Sequence, residues 1–507
     1  MFFVKRKELF HIQPLVWLGL IIILAFLARS YHITYPLIDA HAFRQTQTAG
    51  LIRDFYSDGI NLLYPRMITL GDPGYVVLEF PLYQAISAIL YNVFSLNITL
   101  PRLASILFGL LSIIFVYRLT MRFLDQKAAI FASLFYAFVP LNIFYNRVPM
   151  PDTLTILLSL IMFDFLIEGI KNRKNIFLIM GILAGSFGLM MKSPYVAPLY
   201  LPIIYIVYKQ ARKWKSLLDM RFLAAFIVPV TMMVLWQRHA NFVNEMYFNT
   251  YDYPFKELYS VVVVKVHPFN EWYFGTIAQR LDPQNYLIIL KRISRDIFSV
   301  GGIIFFIFGI LAVLKKKAGA FFFIWLFSAL CSIMIFFNLN VMHDFYQLPL
   351  APILSIYCGA GIVYFITFFK NKKVIFAFTT IVISLYLFVS FSIAAKFFEA
   401  SNNFVEVGQF IDNSIEKSAM IAVSQPGDDV WSPVLMYYSN RHGFEVPHYR
   451  LNEEMMEYFR GKNIKYLTLI DYDGTSALID SAVAPYRMVT KNERTIIYDI
   501  SSKHQKR

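Results

Sequence analysis

The chain has 507 residues, of which 57% are hydrophobic and 16% charged, and its mean hydropathy is +0.53. That balance excludes an ordinary soluble enzyme and indicates a polytopic membrane protein. The net charge of +14 does not mark a nucleic-acid binder, because Lys and Arg cluster in short loops between apolar runs, as topology signals do.

The first span is expected at 15–29, behind the basic flank Lys5, Arg6 and Lys7, with no small-residue cleavage site after it. A polar stretch, "DAHAFRQTQTAGLIRDF" (39–55), then opens a long outer loop over 30–102. Within this loop 81–96 ("PLYQAISAILYNVFSL") is apolar, and counting it as a crossing inverts everything after it. Further runs near the roughly 20 residues a crossing helix needs lie at 103–121, 128–145, 153–170, 175–190, 194–208, 222–236, 298–314, 319–337, 348–369 and 374–393. Charge decides the orientation. With the N-terminus in the cytoplasm and 81–96 lying in the interface, "RLTMRFLDQK", "KNRKN", "KQARKWKSLLDMR", "KKK" and "KNKK" fall inside. The short loops "NRVPMPD", "MKSP" and "NLNVMHDFYQ" fall outside, which is the positive-inside asymmetry. The expected fold is therefore an all-α membrane bundle of about eleven crossings over 1–393, with an interfacial helix in the first outer loop and a second large outer loop at 237–297.

Cys331 and Cys358 sit inside apolar runs, so neither a disulfide framework nor a Cys-based metal site is indicated. Residues 394–507 have soluble composition and are expected to form a small extracytoplasmic α/β domain. "MIAVS" and "KYLTLID" read as buried strands, "SPVLMYYSNR" and "NEEMMEYFR" as helices, and "YRMVTKNERTIIYDI" as a closing hairpin.

This topology gathers the unusual polar groups on the outer side: Asp39, His41, Arg44, Arg53 and Glu79 in the first loop, Asp152 and Lys192 at later mouths, His239 and His267 in the second loop, and His343 after the ninth span. Such a surface beside a lipid-facing bundle suits a substrate with one greasy and one polar end. A carboxylate such as Asp39 can take a proton from an attacking hydroxyl, and Arg or Lys can hold a leaving phosphate. Glu79 with a histidine, His343 or His267, can hold a divalent metal ion. Against these roles stand plainer ones. Asp39 at the water boundary, Arg44 as a headgroup anchor, Glu79 as a first-turn carboxylate and Asp152 as an N-cap all have structural readings. No phosphate-binding Gly-rich loop, Walker lysine or Ser/His/Asp arrangement is present in the sequence.

The pieces "RDFYSDG", "LYP", "EFPLYQ", "PRLASILFGLLS", "VPLNIFYNRVPMPDTL", "GLMMKSPYVAP" and "HDFYQLPLAP" follow the order of the GT-C glycosyltransferases. The chain resembles especially their bacterial branch related to protein O-mannosyltransferases and the lipid A aminoarabinose transferase, over roughly residues 1–370. The resemblance implies a polyprenyl-phosphate-linked sugar donor, used at the outer face of a bacterial inner membrane. A glycan, lipid or protein acceptor would attack with inversion. Glu79, Asp152 and Lys192 match polar positions of that family; the full set of candidates is Asp39, Glu79 and Asp152 for catalysis, and His41, Arg44, Arg53, Lys192, His343 and Tyr346 for donor or phosphate contacts. Two departures stand out. The family's acidic pair falls on Arg44 and Gln45, with Asp39 five residues earlier, and its Lys after the Glu is Phe80 here. The rival expectations are a flippase or transporter, a glycan polymerase or ligase, and a receptor-like protein. A transporter needs paired charges near mid-span, and the spans here are nearly free of charge.

Overall fold

The computed structural model describes residues 12–211, 218–249, 271–427 and 432–503. They form two compact units. One lies within 1–33, 99–237 and 266–398, the other within 34–98, 238–265 and 399–507.

The first unit is a helical membrane bundle. It holds α1 (Ile12–Arg29), α4 (Thr99–Phe123), α5 (Gln126–Ala137), α6 (Pro140–Tyr145), α7 (Asp152–Asn172), α8 (Asn175–Val196), α9 (Tyr200–Ala211) and most of α10 (Met220–Val243). Among the described residues five helices are long and apolar enough to cross a membrane. A sixth arises if Pro283–Ile297 and Gly302–Leu314, bent by 91°, count as one broken span. Shorter apolar helices at Pro14–Arg29, Gly319–Ile335 and Leu350–Ile366 accompany them. The chain is thus a multi-pass membrane protein. The expected span at 128–145 breaks between α5 and α6, just ahead of Pro140. The helices Gly302–Leu314 and Leu350–Ile366 approach at backbone distance: a Cβ on Gly309 would stand 2.0 Å from the Tyr357 carbonyl oxygen, and one on Gly361 1.8 Å from that of Phe305. Small residues allow such an approach, which dispersion between the two backbones then stabilises.

The second unit contains α2 (Ala42–Ser57), α3 (Leu82–Phe94) and a five-stranded sheet: β1 (Ile421–Gln425), β2 (Gly443–Pro447), β3 (Tyr466–Ile470), β4 (Arg487–Lys491) and β5 (Thr495–Asp499). The helix α3 covers the ambiguous apolar run. At 13 residues it spans about 20 Å and is too short to cross. Its Ile89, Val93 and Phe94 are exposed on one side while Tyr83, Gln84, Ser87 and Tyr91 are buried, the division an interfacial helix needs.

The strand order is β2-β1-β3-β5-β4, with β1, β2 and β3 parallel and the β4–β5 hairpin antiparallel. The hairpin and the strands at 421–425 and 466–470 match the sequence reading; β2 was not expected. Parallel strands are buried on both faces, and the sheet achieves this with partners from the first loop. Met67, Leu70 and Val76 share a core with Phe444, Val446, Phe459 and Leu467, and Ile68 joins Val423, Ile411 and Met436 on the other face. The Gly71 amide donates to the Gly443 carbonyl at 2.9 Å and the Gly443 amide to that of Ile68 at 3.0 Å. The first loop therefore covers β2, a strand that would otherwise offer an open edge.

At the carboxyl ends of the parallel strands His448 ties all three together. Its Nε2–H donates to the Ile470 carbonyl at 2.9 Å, so Nδ1 accepts from the Ser424 hydroxyl at 2.8 Å. Burial holds this imidazole below its usual value of 6.5, and the Ile470 bond with nearby Asp473 and Asp471 offsets only part of that. The unfolded chain then binds a proton near pH 6.5 that the folded one refuses, so stability falls as pH drops from there towards the folded value. The protection factors of the β1–β3 amides, which remove the intrinsic pH dependence of exchange, are expected to fall at pH 5 relative to pH 7.5, and His448→Gln, which keeps one donor and one acceptor, should flatten that dependence.

Candidate active site

In the second unit α2 presents Arg44, Gln47, Thr48 and Leu51 on one stripe, the i, i+3, i+4, i+7 spacing of a single helix face. With Arg66, Glu79 and Gln84 they line a small pocket of about 40 Å³. Arg44 donates to both the Gln47 amide oxygen and Glu79 Oε1, and both members of this ion pair have side chains 13% exposed. Glu79 is no first-turn carboxylate, since α3 begins at Leu82 behind Pro81. Arg66 is held by Asp58 at 3.1 Å, Asp72 at 2.9 Å and the Pro73 carbonyl at 3.0 Å. The pocket thus joins two guanidinium groups, one carboxylate and two amide side chains.

The other first-loop candidates lie around it. Asp39 is fully buried and accepts from Gln45 Nε2 at 2.5 Å; it does not line the pocket. His41 occupies the N-cap of α2 in the left-handed region (φ 57°) without a side-chain cap. Arg53, one turn from the end of α2, donates to the Tyr437 carbonyl at 3.0 Å and lies over the Tyr437 ring. Beside it Asp54 pairs with His442 Nε2 at 2.9 Å. Arg53 and Asp54 so fasten α2 to the helix Val434–Tyr438 and the start of β2.

In the first unit a second polar centre forms at the mouths of α6, α7 and α8. Asp152 is the first residue of α7, behind an N-cap Pro151, and makes no cap bond. Its Oδ1 instead accepts from Lys192 Nζ at 2.7 Å and lies 2.6 Å from the Tyr195 hydroxyl; its buried Oδ2 has no hydrogen-bond partner. Tyr195 stands equally close, 2.6 Å, to the Phe345 carbonyl, and its one hydrogen serves one acceptor at a time. Lys192 sits where α8 breaks (φ −150°, ψ 91°), two residues before Pro194, whose missing N–H and ring disrupt the preceding turn. The break turns its ammonium over the rings of Phe345 at 4.7 Å and Tyr346 at 5.2 Å, a cation–π setting. His343 stacks on Phe345 at 4.9 Å, and Tyr145 donates to Asp344 at 2.5 Å.

Asp152, Lys192, His343 and Tyr346 thus meet in one centre, and Arg44 with Glu79 in the other. Sequence reasoning missed Gln47, Arg66 and Gln84 in the pocket and Tyr145 and Tyr195 in the bundle. Only Gln47 carried a signal, its helical spacing from Arg44. For a metal ion, the described residues do not fit: Glu79 is engaged by a guanidinium, and no three His, Cys, Asp or Glu side chains gather among them. His267 lies outside the described residues.

By sequence, the family model for dolichyl-phosphate-mannose-protein mannosyltransferases matches residues 79–236. No curated protein matches the chain. Among solved structures, ArnT from Cupriavidus metallidurans bound to undecaprenyl phosphate aligns over 96% of this chain and 98% of its own, at 14% identity and a TM-score of 0.65. The archaeal oligosaccharyltransferase AglB from Archaeoglobus fulgidus, in complex with an inhibitory peptide and a dolichol-phosphate, aligns over 92% of this chain and 70% of its own (11% identity, TM-score 0.54). Arabinofuranosyltransferase AftD from Mycobacteria aligns over 96% of this chain and 40% of its own (12% identity, TM-score 0.53). The chain therefore shares its fold with ArnT along nearly the whole of both chains, and its residues 79–236 match the mannosyltransferase family model.

Proposed function

We propose that the protein is an integral-membrane glycosyltransferase that moves a sugar from a polyprenyl-phosphate-linked donor to an acceptor on the extracytoplasmic face, with inversion. The observation that carries this reading is the shared fold along 96% of the chain with a protein bound to undecaprenyl phosphate. The Arg44–Arg66–Glu79 pocket supplies chemistry of the right kind. In the displacement, an acceptor hydroxyl attacks the anomeric carbon, the bond from that carbon to the phosphate oxygen breaks, and the hydroxyl proton passes to a carboxylate. Glu79 lines the pocket and takes that proton in this reading; Asp39, enclosed beside Gln45, is the second carboxylate to test. Arg44 meets the leaving phosphate with its two-pronged guanidinium; Lys192, in the other unit, is a phosphate contact to be tested separately. No step is routed through a metal ion.

The reading includes eleven crossings, a cytoplasmic N-terminus, the sheet-bearing unit outside and a bacterial inner membrane as the location. A glycan, a lipid or a protein is the acceptor. The deciding experiment is a transfer assay with purified protein and a panel of radiolabelled polyprenyl-phosphate sugars, comparing wild type, Glu79→Gln and Asp39→Asn. Release of polyprenyl phosphate by wild type and its loss in Glu79→Gln are expected. Loss in Asp39→Asn with activity kept in Glu79→Gln moves the proton to Asp39, and no release from any donor sinks the transferase reading.

A further inference from the structure

The bundle holds a much larger hollow than the pocket just described. Its volume is about 1240 Å³, and its walls are one face each of α1, α5 and the helix Lys372–Ala395. On α1 the lining positions are Trp17, Leu20, Ile21 and Leu24; on the last helix they are Phe376, Thr379, Thr380, Ile383, Ser384 and Leu387. Both sets follow helical i, i+3, i+4 spacing. Trp17 and Phe376 are 60% and 75% exposed, so the groove opens sideways. In a membrane protein an open apolar groove of this kind fills with hydrocarbon.

Two observations select the occupant. The Thr379 hydroxyl, on the groove wall, is shielded from solvent and has no hydrogen-bond partner, whereas the Gln126 side chain beside it is engaged by Tyr117. A buried hydroxyl without an acceptor costs about 1–3 kcal/mol, and a chain of pure hydrocarbon cannot satisfy it. Beside Gln126 the groove is lined by Lys127, and Lys370 and Lys373 flank the start of the last helix. The charge pattern sets this end of the groove at the cytoplasmic surface, where anionic headgroups attract basic residues by about 1 kcal/mol each.

We propose that this groove is a binding site for an anionic phospholipid of the cytoplasmic leaflet, its acyl chains along α1 and the last helix, its phosphate facing Lys127 and its ester oxygens accepting from Thr379. The site is separate from the transfer chemistry, and its test reads lipid retention rather than activity. The intact protein is purified into nanodiscs containing phosphatidylglycerol, phosphatidylcholine and polyprenyl phosphate in equal parts, then ejected and weighed by native mass spectrometry. Retained phosphatidylglycerol is expected, about five-fold above phosphatidylcholine. Lys127→Gln, a change at an exposed side chain, should bring that ratio towards one, and Thr380→Phe with Ser384→Phe should lower total retention by filling the groove. Equal retention of phosphatidylcholine by the wild type, or preferential retention of polyprenyl phosphate, overturns the proposal. So does an unchanged preference in Lys127→Gln.

Discussion

Lys192→Met is expected to destabilise the bundle by roughly 3–5 kcal/mol, the usual cost of removing one partner from a buried ion pair. Asp152 is fully buried and Lys192 nearly so, so the loss strands a carboxylate in a low-dielectric setting, with the Tyr195 hydroxyl still 2.6 Å away. The double variant Lys192→Met with Asp152→Asn removes both charges and should recover more than half of that loss, because the attraction and the desolvation cost disappear together. Thermal unfolding of the detergent-solubilised proteins measures both. Additive losses would mean that the two residues do not form a pair in solution.

Arg44→Ala should lower kcat/KM for transfer by about 10²–10³, the range found when one preorganised donor to a developing negative charge is deleted. Arg44→Lys should recover little. An ammonium cannot replace the planar fork that reaches Gln47 and Glu79 together. Loss of turnover must be separated from loss of fold, since Arg44 also positions Glu79. Hydrogen exchange over α2 and over residues 65–79 does this: unchanged protection with lost turnover assigns the residue to chemistry. Full activity in Arg44→Ala would move the phosphate contact to Lys192.

Much of the bundle was legible because hydropathy and loop charge are local properties. The break at Lys192 falls in the gap expected between 175–190 and 194–208, whereas the break before Pro140 interrupts a run expected to be one span; the shortness of α3 agrees with the charge argument that kept 81–96 out of the crossing count. The sheet was legible where strands were wholly apolar or paired across a short turn. The strand β2, "GFEVP", carries a Glu at its centre and ends on Pro, and nothing within five residues marks it as buried. The same limit governed the site. Arg44 and Glu79 were recognised separately, but their pairing spans 35 residues and the bond from Arg53 to Tyr437 spans 384. Asp152 read as a helix cap because helix starts favour carboxylates. Its partner, Lys192, lies on the next helix, and periodicity within one segment is silent about the neighbour.

The cover that the first loop gives β2 has a consequence for biogenesis. Residues 67–76 emerge early, whereas β2 is made only after every helix of the bundle. At roughly 5–20 residues per second, the loop waits on the order of twenty seconds to a minute with Met67, Ile68, Leu70 and Val76 lacking the partners that cover them in the folded unit. Pairing of such distant segments closes late and slowly. The pocket wall built from residues 65–79 therefore sets last, and a ribosome that stalls after the bundle but before β2 leaves a full set of membrane helices with an unfinished pocket and a sticky loop.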